Sequence, residues 1–157
     1  YGKKIDNDIA EKIEKLLHYF FNTCLIKIVE EPEQNLFPHS QSKVLYELLS
    51  CKNQDNDNQL LITTHSPYIL SYLTLSAKAA ELLSKNVPKE MIAAIIPVEA
   101  AVSGDTISIY ETKSDGSIQL LEPYENLPSD ENELNKLLNE SNEDFSKLLD
   151  LEDKFCK

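Results

Sequence analysis

Two short apolar runs, each followed by polar residues and separated by a helical pattern, constrain the fold of this chain most strongly. The first run is Cys24–Val29 and the second is Leu60–Thr63. Between them, Ser40–Ser50 carries its leucines and a valine on one helical stripe. Two such runs joined by a helix predict a βαβ unit, in which parallel strands end at the same edge of a sheet. The fold class is therefore predicted to be α/β.

Apolar spacing predicts several further elements. They are a helix over Ile9–Phe21, a helix from Pro67 to Ser84 with Ser66 as its N-cap, a third strand over Met91–Val98, a hairpin turning at Ser114–Gly116, and helices after Ser129. We expect the third strand to belong to the parallel sheet, and the hairpin and acidic helices to follow it.

The chain is strongly acidic. Its 157 residues include 27 acidic side chains against 15 lysines and arginines, a net charge of -12. This charge argues against direct binding to a nucleic-acid backbone or an anionic membrane. Residues 122–157 form an acidic tail with eleven acidic residues against four lysines. We expect its apolar stripe, Leu134, Leu137 and Leu138, to pack on the domain while the charges face water.

Hydropathy and cysteine content indicate where the chain resides. No apolar run approaches the roughly 18 to 20 residues that span a bilayer, so we expect no membrane partner. The three cysteines, Cys24, Cys51 and Cys156, are odd in number and lack metal or redox spacing. A reduced, cytoplasmic setting is therefore predicted. Because the first residue is Tyr1 and not methionine, we expect the sequence to be part of a longer protein.

Residues suited to phosphate chemistry follow both apolar runs. Glu30 and Glu31 end the first run, and His65 follows the second. Adjacent carboxylates repel each other, and a cation such as Mg²⁺, which takes one or two carboxylates plus phosphate oxygens, relieves that repulsion. A histidine at the same edge can reach a phosphate oxygen or an attacking water. From the residues alone, a solvated acidic loop and a structural histidine remain open alternatives.

Two longer motifs contain these residues. Residues 25–38 read LIKIVEEPEQNLFP and resemble the Walker B strand and D-loop of ABC-type ATPase heads, with Gln41 at the glutamine position that closes the motif. Residues 61–70 read LITTHSPYIL and are similar to the strand and helix that carry the family's switch histidine. Because both motifs stand in the family's order and spacing, residues 24–75 resemble the SMC- and RecF-like AAA-type ATPases.

This resemblance implies a partial P-loop NTPase-like, three-layer fold with ATP and Mg²⁺ as its ligands. Glu30 would hold Mg²⁺ directly or through its water, although the family more often has aspartate there. Glu31 would be the general base for the attacking water, and His65 would contact the γ-phosphate.

The resemblance also assigns residues to the surface between two heads. Asn35 and Leu36 would belong to the D-loop and, with Gln41, would contribute to cofactor binding across a homodimer of heads. Glu33 is expected only to help shape the turn.

The family's phosphate loop is missing, since no Gly-x-x-x-x-Gly-Lys-Ser/Thr motif occurs. We therefore expect residues 1–157 to form the C-terminal lobe of a head, with 122–157 as its helical tail and the N-terminal lobe as its partner. The chain alone is predicted not to hydrolyse ATP. The resemblance implies work in DNA repair, chromosome maintenance or phage defence, with any DNA contact made by other regions.

Two other functions stay open. An ATPase–nuclease of the overcoming-lysogenisation-defect kind would need a strand-end glutamate, for which Glu99 is available, followed by an Asp-x-Asp pair, which the later residues lack. A non-catalytic interaction module could instead keep the fold without turnover.

Overall fold

The computed structural model describes Lys12 and residues 24–125, 127–128 and 132–156. The helix predicted over Ile9–Phe21 lies outside these residues apart from Lys12, which is helical. None of the helices described has the length and apolar character needed to cross a membrane.

The predicted βαβ unit is confirmed. Strand β1 (Ile26–Glu30) is followed by helix α1 (Pro38–Lys52) and strand β2 (Gln59–Thr63). The strands pair in parallel, with Glu30 opposite Thr63 in the last register position. Both carboxyl ends therefore lie side by side at one edge of the sheet.

Helix α2 (Pro67–Ser84) follows β2 and shares a core with α1. Each of these helices begins with proline, whose missing N–H lies in the first turn, where no intrahelical partner exists. The apolar core combines Leu45 and Leu49 of α1 with Ile69 of α2, and Leu60 and Ile62 of β2 pack against them.

The two faces of this sheet differ. Leu60 and Ile62 point to the face that α1 and α2 cover. Ile26, Ile28 and Leu61 alternate with them and are 63%, 66% and 56% exposed. In the described part of the chain, helices thus cover one face of the sheet and leave an apolar face open.

The predicted third strand is wrong. Residues 91–98 lie in helix α3 (Lys89–Ala93), in the bend after it, and at the start of a 3-10 helix over Val98–Ala100. Asn53, which follows α1, donates from Nδ2 to the carbonyl of Glu99 at 2.8 Å and so ties this segment to the βαβ unit. Within the described ranges the parallel sheet therefore has two strands.

The burial pattern explains why this apolar run is not a strand. Ile92 and Ile96 are buried, whereas Met91 and Ile95 are exposed. Buried positions thus recur every four residues, as on one side of a helix, and not every two, as in a strand. Pro88 occupies the N-cap of α3, where its fixed φ begins the turn.

The predicted hairpin is confirmed. Strands β3 (Ile109–Thr112) and β4 (Ile118–Leu121) pair antiparallel. Gly116 in the connecting turn has a φ of +83°, a conformation that glycine adopts without steric cost. The mixed α/β architecture, with a parallel strand pair, a hairpin and flanking helices, is therefore as predicted.

Helix α4 (Glu133–Phe155) is the predicted acidic helix. Asn132 caps it by accepting a hydrogen bond from the Asn135 amide at 3.0 Å. Of the predicted apolar stripe, Leu134 is half-buried, whereas Leu137 and Leu138 are 58% and 51% exposed. The helix and its amphipathic character are as predicted, but the expected packing of the whole stripe on the domain is not seen among the described residues.

Candidate functional site

The ends of β1 and β2 bring Glu31 and His65 together. Glu31 Oε1 lies 3.5 Å from His65 Nε2, close enough for an ion pair when the imidazole is protonated. The His65 side chain is 85% exposed and that of Glu31 is 42% exposed, so both groups are open to solvent. The two strands thus deliver a carboxylate and an imidazole to one edge, and the catalytic roles of these groups stay predictions.

Glu31 leaves the extended backbone conformation of β1. Its amide donates to the Thr63 carbonyl at 2.8 Å, which extends the ladder by one bond. Its φ is +44°, in the left-handed region, which costs a non-glycine residue roughly 1 to 2 kcal/mol. Pro32 then occupies the second position of a turn closed by a 2.9 Å bond from Gln34 N to the Glu31 carbonyl.

Glu30 ends β1 on the open face of the sheet. It is exposed, and so is Thr63 opposite it in the register. The described residues contain no group of three or more His, Cys, Asp or Glu side chains placed to hold a metal ion. A single carboxylate can hold Mg²⁺ where phosphates and water supply its other ligands. The metal role of Glu30 stays a prediction.

The predicted D-loop residues lie on the surface. A second turn follows the first, closed by a 2.9 Å bond from Leu36 N to the Glu33 carbonyl. Asn35 has a φ of +60°, which asparagine tolerates better than most residues. Asn35 and Leu36 are both exposed, and their contact with a second head stays a prediction.

Gln41 lies inside the protein. Its side chain is buried, with Nε2 donating to the Leu36 carbonyl at 3.0 Å and Oε1 accepting from Ser66 Oγ at 2.7 Å. Ser66 occupies the predicted N-cap position of α2, yet its hydroxyl bonds to Gln41 and not to the helix. Both ends of the Gln41 amide are thus occupied by protein groups, and its predicted cofactor contact stays a prediction.

The sequence interpretation missed a link made by Glu33. Its Oε1 accepts a hydrogen bond from Thr64 Oγ1 at 2.7 Å and another from the His65 amide at 2.8 Å. The sequence carries no direct signal for this link, which follows from the register of β1 and β2: pairing Glu30 with Thr63 sets the residues after the two strands side by side.

Glu99 does not fit the nuclease alternative. It lies in the 3-10 helix Val98–Ala100 and not at the end of a strand. A strand-end position was the basis for considering it as a metal ligand, and the structure removes that basis.

Comparisons with known proteins match the part of the chain that carries this edge. A family model described as the AAA ATPase domain matches residues 9–70, less than half of the chain. The match includes Glu30, Glu31 and His65. No curated protein and no solved structure matches the chain. The architecture is consistent with a partial P-loop NTPase-like fold, and the family match supports an AAA-type ATPase region here.

Proposed function

We propose that this chain is the C-terminal half of an ATP-binding and ATP-hydrolysing head of the ABC type, similar to SMC- and RecF-like ATPases. Glu31 is the general base, His65 is the switch histidine, and Glu30 holds the magnesium ion. The contact of 3.5 Å between Glu31 and His65 at the ends of adjacent parallel strands carries this proposal. The AAA ATPase match over residues 9–70 supports it.

The exposed groups at this edge suit the hydrolysis of a phosphoanhydride. The Glu31 carboxylate is open to solvent on one side and can accept a proton from a water molecule. Among the described residues, its Oε2 receives a long 3.4 Å contact from Gln34 Nε2, which leaves lone pairs for that water. The His65 imidazole can donate a hydrogen bond to a phosphate oxygen. Bound Mg²⁺ would neutralise charge on the phosphates, with Glu30 as its protein ligand.

The open face of the sheet supports the proposal that a second lobe completes the head. Ile26, Ile28 and Leu61 are each more than half exposed, and covering them would gain about 1 kcal/mol or more per side chain. The sequence also lacks a phosphate-loop motif, so we assign the main phosphate contacts to that lobe.

Paired heads are part of the same proposal. The exposed Asn35 and Leu36 would face a second head, with ATP at the contact, and hydrolysis would separate the heads. DNA repair, chromosome maintenance and phage defence are the settings we propose. We assign any DNA contact to other regions, because the net charge of -12 on this chain repels the DNA backbone.

The decisive experiment measures ATP turnover in the longer protein, where this chain follows a phosphate-loop lobe. We expect Glu31→Gln to reduce turnover by about 10²- to 10⁴-fold, the usual contribution of a positioned base, and to leave ATP bound. Glu47→Gln, an exposed change on α1, is the matched control and should keep wild-type turnover. Equal turnover in the two variants would overturn the proposal.

Two further outcomes separate the alternatives. The 157-residue chain alone should show no steady-state turnover, because it carries no phosphate-loop motif. A longer protein that binds ATP without hydrolysing it, with no difference between wild type and Glu31→Gln, would instead indicate a non-catalytic module.

A further inference from the structure

The carboxylate of Glu33 connects the loop after β1 to the loop after β2. Its Oε1 accepts from Thr64 Oγ1 at 2.7 Å and from the His65 amide at 2.8 Å. Thr64 Oγ1 in turn accepts from the Ser66 amide at 3.0 Å. One carboxylate oxygen thus organises three consecutive residues of the second loop, through hydrogen bonds that an ionised acceptor strengthens.

His65 depends on its backbone for its position. Its side chain is 85% exposed, so little packing holds the imidazole near Glu31. Glu31 is also positioned through its backbone, since its amide donates a hydrogen bond to the Thr63 carbonyl at 2.8 Å. The hydrogen bond from the His65 amide to Glu33 therefore fixes the backbone from which the imidazole projects.

Two substitutions at Glu33 distinguish the effect of the position of Oε1 from the effect of the negative charge. Oε2 is buried and has no hydrogen-bond partner among the described residues. A glutamine at this position could keep Oε1 where it is and place its amide nitrogen at the site of Oε2. An aspartate would keep the charge but withdraw it by one methylene, out of reach of the Thr64 hydroxyl and the His65 amide.

We propose that Glu33 is a positioning residue, which holds His65 opposite Glu31 by joining the two strand-end loops. The proposal rests on the proposed roles of Glu31 and His65 as far as turnover is concerned. The geometric part, that Glu33 fixes the His65 backbone, stands without ATP.

The geometric part is tested in the 157-residue chain by amide hydrogen exchange. We expect Glu33→Asp to speed exchange of the His65 amide by about tenfold or more, since the amide loses its acceptor. Glu33→Gln should keep the rate within about threefold of wild type, because its oxygen can still accept. Far-UV circular dichroism checks that both variants are folded. Unchanged exchange at His65 in a folded Glu33→Asp variant would overturn the proposal.

The functional part is tested by turnover in the longer protein. We expect Glu33→Asp to lower kcat by about 10²-fold, the loss that a displacement of about 1 Å can cause, while KM for ATP changes little. Glu33→Gln should retain most of the wild-type kcat. If Glu33→Asp keeps full kcat where Glu31→Gln loses it, the positioning role is wrong and the proposed function stands. If Glu31→Gln keeps full turnover while His65 exchange responds as expected, the proposed function fails and the link is structural only.

Discussion

Replacing Gln41 with alanine tests whether this glutamine stabilises the strand-end loops. Its side chain is 7% exposed and forms two hydrogen bonds, to the Leu36 carbonyl at 3.0 Å and from Ser66 Oγ at 2.7 Å. A neutral hydrogen bond contributes about 0.5 to 1.5 kcal/mol, and leaving a buried partner unsatisfied costs about 1 to 3 kcal/mol. Because Ser66 is itself buried, we expect Gln41→Ala to lower the free energy of unfolding by about 2 to 3 kcal/mol.

Urea unfolding followed by far-UV circular dichroism measures this loss. Gln34→Ala is the matched control, since Gln34 is exposed and its side chain makes one 3.4 Å contact. Its cost should stay within about 0.5 kcal/mol. A double-mutant cycle with Ser66→Ala should give a coupling of about 1 kcal/mol, because these two side chains contact each other directly.

Two results would refute this reasoning. One is a Gln41→Ala stability equal to that of Gln34→Ala, and the other is additivity of Gln41→Ala with Ser66→Ala. An unchanged stability combined with weaker nucleotide binding by the longer protein would favour the direct cofactor contact that the family resemblance implies.

Three further predictions concern the faces and turns of the fold. Leu45→Ala should lower the free energy of unfolding in urea by about 3 kcal/mol because Leu45 is 1% exposed. Leu61→Ala should lower it by less than about 1 kcal/mol because Leu61 is 56% exposed. Equal losses would show that the sheet face bearing Leu61 is covered. Gly116→Ala should lower stability by about 1 kcal/mol through its positive φ alone, since no atom lies within 4 Å of an added Cβ, and a much larger loss would contradict this. Hydrogen bonds from Lys113 and from the amide of the first residue of α4 lower the pKa of Glu111. The ionised Glu111 should therefore stabilise the folded state fully at a pH above its ordinary pKa, and this contribution should be lost as the pH falls through the lowered pKa. Glu111→Gln should flatten that acid limb in pH-dependent unfolding, and an unchanged limb would refute the assignment.

The βαβ unit could be predicted from the sequence because two independent signals agree. The apolar runs around Ile28 and Leu61 are short and β-branched, and the residues between them have helical spacing. Parallel pairing then follows from the crossover helix, and with it the meeting of Glu31 and His65.

The run from Met91 to Val98 shows where such reasoning fails. Eight mostly apolar residues suit a buried strand and a short helix equally well when periodicity is weak. The deciding information was which isoleucines are buried, Ile92 and Ile96, and that depends on the tertiary fold. Similarly, the stripe on α4 indicated an apolar face, but the expected packing on the domain leaves Leu137 and Leu138 exposed.

The internal contacts of the site were the least predictable part. Gln41 and Glu33 occupy positions of a recognisable motif, and a motif suggests contact with ligands. Their hydrogen bonds instead join protein segments, which becomes visible only when the register of β1 and β2 sets the two loops side by side.

Two pairs of side chains at this edge make different kinds of contact. The Glu31 and His65 side chains are 42% and 85% exposed and contact each other. Gln41 and Glu33 make the bonds between the loops, so that their loss disturbs the folded state first and any chemistry only as a consequence. Loss of activity at the exposed pair can therefore be interpreted as lost chemistry, whereas the same loss at Gln41 or Glu33 requires a structural measurement before it can be assigned.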